Sequence, residues 1–309
     1  MIVGLHALRR GPFDAPVKLQ VSMTPPEIDP TSAISATLNR RGFVGISALG
    51  AAAPSLGFAA NDSSGQPHSP YVAENDPAIV VQHVALDGSA GALSAYAAIP
   101  ARADSRTPSV VIIMHLWGVD ESIRDVVRRL AKAGFVAIAP DLYAHSGAPN
   151  GDGSSDSTLF LPYARRLTPE KVDADIAAAA TWLSRQYPQT KTAILGFCMG
   201  GRIAMRAAID DRGLFAAVCS FYGDVNPIDP AAILTPYYGS YGARDTGIPA
   251  DKVRSFTAAL AVPHDVRIYD EAGHAFFDDQ RPSYVPTAAA DAWDRLLRFL
   301  QRYLGTPSP

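Results

Sequence analysis

The sequence predicts an α/β fold: a mostly parallel sheet flanked by helices on both faces. Two observations carry that reading. Residues 109–114, Ser-Val-Val-Ile-Ile-Met, form an apolar run of the kind found in a strand buried on both faces. From residue 79 onward, runs like it alternate with helix-spaced segments, and parallel neighbours need such crossovers.

Residues 79–86 and 93–99 read as an opening antiparallel pair, separated by the turn residues Asp87-Gly88-Ser89. After the strand at 109–114, residues 123–133 have helical spacing, and Gly134 follows as a C-terminal cap. Residues 135–139 form the next strand and lead into Pro140-Asp141-Leu142-Tyr143. The glycine- and serine-rich loop at 147–157 is long enough to border a pocket. Thr168-Pro169-Glu170 opens a helix that runs to about residue 186, with a capping hydroxyl, proline at the first helical position and an acid at the positive dipole end. Strands at 191–197, 215–221, 234–241 and 266–269 and helices at 199–209, 250–260 and 287–303 complete the series. A ligand then belongs at the carboxyl ends of the strands.

Composition narrows the function classes. The 309 residues are 48% hydrophobic and 18% charged, enough for one large core. A net charge of -3 points away from a nucleic-acid partner or an anionic membrane surface. Beyond the N-terminal segment no apolar run reaches the length of about 18 residues that a membrane span requires. The two cysteines, Cys198 and Cys219, are too few for a disulfide framework and lack zinc-site spacing, so neither metal nor cofactor is expected.

Arg40-Arg41-Gly42-Phe43 precedes an uncharged Ala-, Gly- and Leu-rich stretch, and small residues follow near 57–60. This arrangement resembles a twin-arginine export signal, which implies a periplasmic protein; the alternative is a cytoplasmic protein with a disordered tail. The long leader before Arg40 suits a start downstream of Met1. The organisation expected is therefore an export segment at 1–60, a Ser-, Gly- and Pro-rich linker at 61–77 and one domain at 78–305.

The chemistry-bearing motif is Gly196-Phe197-Cys198-Met199-Gly200-Gly201, at a strand-to-helix junction. It matches the nucleophile elbow of α/β-hydrolases with cysteine in place of serine. The following helix terminus would lower the thiol pKa. Taken alone, the motif also fits a buried cysteine in a tight turn. Chain order adds weight, because the elbow is followed by Asp245 after one strand and His274 after the next, the nucleophile–acid–histidine sequence of that fold. His274 would take the thiol proton and later activate water, while Asp245 holds its tautomer. The Met199 and Leu116 amides are the candidate oxyanion donors. Trp117 lines the pocket or covers the core, Cys219 reads as inert core, and His83 and His264 read as surface residues.

On Trp117-Gly118-Val119, Pro140-Asp141-Leu142-Tyr143, the elbow, Gly242-Ala243-Arg244-Asp245 with Gly247-Ile248-Pro249, and Gly273-His274-Ala275-Phe276, the chain resembles the dienelactone hydrolase family over roughly residues 79–304. The resemblance implies hydrolysis of small lactones or esters through an acyl-thiol, without a cofactor. Other readings are a degenerate hydrolase that only binds a small ligand and an exported esterase or peptidase with other leaving groups. Three positions depart from the family. Its glutamate near the cysteine is His115 here, and its two carboxylate-anchoring arginines are His145 and Asp278. His115 is a candidate thiol partner, and His115, Trp117, Tyr143 and His145 are candidate pocket residues. Asp278 would repel an anionic substrate if it faces the pocket, and Arg281 lies near enough to substitute for a lost arginine. The expectation is weak activity on dienelactone and better activity on neutral esters.

Overall fold

In the computed structural model, residues 70–154 and 156–305 are described. The proposed export segment and positions 61–69 of the expected linker lie outside them.

Eight strands form one sheet in the order β1-β2-β4-β3-β5-β6-β7-β8. Strands β1 (Ile79–Gly88) and β2 (Gly91–Pro100) form the expected hairpin, and β2 runs antiparallel to β4 (Val136–Pro140). The remaining pairs are parallel, through β3 (Ser109–Ile113), β5 (Thr192–Phe197), β6 (Ala217–Phe221), β7 (Tyr237–Gly242) and β8 (His264–Tyr269). The chain steps one way from β3 to β4 and the other way from β4 to β5 and onward. Right-handed crossovers therefore put α1 (Glu121–Lys132) on one face, and α3 (Pro169–Gln186), α4 (Met199–Asp210) and α5 (Ala250–Ala258) on the other. The final helix, α6 (Pro286–Leu304), shares the α1 face, where Arg129 lies 4.2 Å over the Trp293 ring. The crevice at the reversal between β3 and β5 is where such sheets bind ligands.

Several boundaries differ from the sequence reading, each for a local reason. Strand β7 starts at Tyr237 rather than residue 234, since Leu234 is exposed and Pro236 has no N–H to give the ladder. Thr168 does occupy the N-cap of α3, yet makes no side-chain capping bond. The four-residue α2 (Leu161–Ala164) is too short to leave a periodic signature. The stretch 70–77, read as the end of a linker, is fastened to α1. The Val72 amide donates to Asp125 at 2.9 Å, and the fully buried Arg128 donates to the Val72 carbonyl. No helix among the described residues is long and apolar enough to cross a membrane.

Candidate active site

The carboxyl ends of β3, β5, β7 and β8 converge on Cys198. It is the N-cap of α4 and adopts φ 54° and ψ -117°, a left-handed conformation that costs a cysteine about 1–3 kcal/mol. The surrounding chain over-determines that strain. The Cys198 amide donates to the Phe221 carbonyl at 3.0 Å, and its own carbonyl accepts from Gly201 at 3.0 Å. A Cβ on Gly200 would lie 2.3 Å from the Ile113 carbonyl oxygen and 2.5 Å from that of Met114, so only glycine lets the elbow helix seat on β3.

His274 joins the other two candidate residues. Its Nε2 is 3.1 Å from Cys198 Sγ, and its Nδ1 is 2.6 Å from Asp245 Oδ2. Asp245 is buried, and its other oxygen accepts from the Gly247 and Ile248 amides at 2.9 and 3.1 Å, which fixes the carboxylate. The His274 side chain is 41% exposed, leaving water a path to the ring. Burial works against ionisation of both partners. Even so, the His274 hydrogen bond and charge, with help from the His115 charge and the Met199 amide, hold the Cys198 thiol below its ordinary value. The bonds from Asp245 and Cys198 in turn overcome the burial of His274 and raise it to about 10. With the thiol lowered and the imidazole raised to about 10, the thiolate–imidazolium pair is favoured over the neutral pair.

The Met199 amide, at the first position of α4, and the Leu116 amide, at the end of β3, bond to no backbone carbonyl among the described residues. Tyr143 ties the two segments together, its hydroxyl donating to the Leu116 carbonyl at 3.2 Å and lying 4.0 Å from Met199 Sδ. A cleft of about 390 Å³ opens over the sulfur, lined by Cys198, Arg202, Tyr222, Asp224, Thr246 and His274 among others.

The remaining candidate positions fall elsewhere. Trp117 and Tyr143 line a neighbouring cleft of about 320 Å³ against Ala144 and residues 147–151. His145 is exposed and lines neither cleft, because it sits on the outer turn after β4. His115 is not a hydrogen-bonding partner of the thiol: both ring nitrogens face buried carboxylates, Asp120 at 2.9 Å and Asp278 at 3.5 Å. Asp278 turns inward and cannot repel a substrate in the cleft. Nor can Arg281 anchor one, since it is buried against Asp120 at 2.6 Å, Asp278 at 3.3 Å and the Ser154 carbonyl. Cys219 is buried in β6, and His83 and His264 are exposed. The sequence reading missed Arg202, four residues after Cys198 and so one turn along the same helix face; that spacing was the available signal.

Comparison with known proteins agrees with this architecture. The profile of the dienelactone hydrolase family matches residues 93–304, and the chain belongs to that family of α/β-hydrolases. A protein of Escherichia coli (strain K12), provisionally named carboxymethylenebutenolidase, is 36% identical over 255 residues, covering 78% of this chain and 93% of its own. A similarly named protein of Yersinia pestis is 38% identical over 226 residues, covering 68% and 84%. A crystal structure from Klebsiella pneumoniae, provisionally titled dienelactone hydrolase, superposes with a TM-score of 0.67 at 32% identity, covering 73% of this chain and all of the other. The chain is a hydrolase of the ester- and lactone-cleaving class.

Proposed function

We propose that the protein hydrolyses small lactones or carboxylic esters through a cysteinyl acyl-enzyme, with Cys198 as nucleophile, His274 as acid and base and Asp245 as its orienter. The carrying observation is the continuous 3.1 Å and 2.6 Å relay from sulfur to imidazole to carboxylate at a strained elbow. The thiolate attacks the carbonyl carbon, and the oxyanion meets the Leu116 and Met199 amides. Collapse breaks the acyl C–O bond, and imidazolium gives its proton to the departing alkoxide, which in a lactone stays tethered to the acyl group. Neutral His274 then takes a proton from water as the hydroxide attacks the thioester. The second collapse releases the carboxylic acid and restores thiolate and imidazolium.

Arg202 offers the cleft a cation and pairs with no carboxylate among the described residues, though Asp224 lines the same cleft. Carboxylate-bearing esters are therefore included with neutral ones. We also propose export by the twin-arginine route. Rapid quench of p-nitrophenyl acetate turnover followed by intact-protein mass spectrometry tests the chemistry. The expected result is one acetyl group on the wild type and none on Cys198→Ala. Turnover without a Cys198 adduct would overturn it.

A further inference from the structure

We propose that His115 is a permanently charged positioning residue, a buried imidazolium clamped between Asp120 and Asp278 that sets the pH at which the Cys198 thiolate forms. The proposal rests on the reading of Cys198 as nucleophile.

Two independent observations make the ring a cation. A carboxylate oxygen faces each nitrogen, Asp120 Oδ1 at 2.9 Å from Nε2 and Asp278 Oδ2 at 3.5 Å from Nδ1, whereas a neutral imidazole carries only one N–H. The second is charge balance. His115, Asp120, Asp278 and Arg281 are 3%, 2%, 4% and 5% exposed. Arg281 bonds both acids, at 2.6 and 3.3 Å. Two carboxylates and one guanidinium leave a buried net negative charge that one further proton cancels; burial raises the Asp278 carboxyl, but His115, faced by both carboxylates, is the group we assign the proton to. The carboxylates raise the His115 pKa against burial and against Arg281, in the same direction.

The cluster borders the elbow that carries Cys198. His115 follows Ile113 and Met114, against whose carbonyls Gly200 of the elbow is seated. His115 and Asp278 share a water-sized cavity with Phe197, which precedes Cys198, and with Tyr222, whose ring centroid is 5.2 Å from that of His274. The other charged groups on that cavity, Arg129 and Asp279, face each other at 3.9 Å. Trp117 closes the remaining side, edge-on to His115 at 5.1 Å and under Arg281 at 4.2 Å. The proton on His115 keeps a buried net negative charge away from the thiolate, and the clamp also fixes the turn that carries the Leu116 amide, through the His115–Gly118 bridge.

The test is the pH dependence of Cys198 alkylation by iodoacetamide, followed by mass spectrometry; Cys219 is fully buried and serves as the silent control. His115→Gln should move the inflection up by about one pH unit or more, and adding Asp278→Asn to it, which makes the cluster neutral again, should return the inflection toward the wild-type value. A merely structural role would change amplitude or stability without that rise and return. Should the variants fail to fold, ¹⁵N histidine spectra of the wild type decide. Both His115 nitrogens should stay protonated between about pH 5 and 8. An unmoved inflection in His115→Gln, no return in the double variant, or a neutral His115 ring in that range overturns the proposal. Alkylation requires no ester, so that failure leaves the hydrolase reading intact, while a missing acyl-enzyme beside the expected inflections would sink the hydrolase reading alone.

Discussion

Asp245→Asn is the sharpest probe of the relay because it removes a charge while keeping the shape. The amide oxygen can still accept from Gly247 and Ile248, so the loop stays built. Its NH₂ then faces His274 Nδ1, where an acceptor stood at 2.6 Å. Nδ1 must now accept, the single ring proton moves to Nε2, and imidazolium loses its charge partner. Hydrogen bonds to charged groups are worth about 1.5–3 kcal/mol, a loss of about 10- to 150-fold in kcat/KM. Loss of orientation in such triads can carry the deficit to about 10⁴-fold. The pH profile supplies a second signature. In the wild type the ion pair persists from the lowered Cys198 value up to the His274 value of about 10. Removing Asp245 lowers the histidine, pulling the alkaline limb to lower pH. The weakened imidazolium in turn lets the thiol rise, pushing the acid limb to higher pH. The window narrows from both sides. The assay is kcat/KM on p-nitrophenyl acetate across the pH range, beside a thermal melt. Wild-type rates with an unchanged profile would refute the relay; a collapsed melt would mean the loop, not the charge, was altered.

Gly200→Ala drives a methyl into the Ile113 and Met114 carbonyls, so stability should fall by about 1–3 kcal/mol in denaturant titrations. Its kcat/KM should fall at least about tenfold as Met199 and Leu116 are pried apart. Arg202→Gln should lower kcat/KM for a carboxylate-bearing ester relative to its neutral analogue by about tenfold; an unchanged ratio would remove Arg202 from substrate binding. Replacing Arg40 and Arg41 by lysine should retain a tagged protein in the cytoplasm, read by cell fractionation, and unaltered export would reject the twin-arginine assignment.

The relay was legible in one dimension because the fold imposes an order on it. A cysteine between glycines at a strand-to-helix junction can be seated in few ways, and successive parallel strands deliver Asp245 and His274 to one sheet edge. The resemblance to the dienelactone hydrolase family was legible in the same motifs. The family profile now covers residues 93–304.

What the sequence alone determined was therefore strand and helix order, the elbow and the succession of its partners, all properties of local pattern and topology. The directions of His115, Asp278 and Arg281 were not among them. As changes of residue type, they suggested a substitute thiol partner, a repelled anion and a spare cation; in three dimensions they pack into one buried cluster with Asp120, which Arg281 reaches across 161 positions of chain. Only tertiary structure could decide this, because a buried charge turns toward whatever compensates it, and local sequence does not record where that compensation stands.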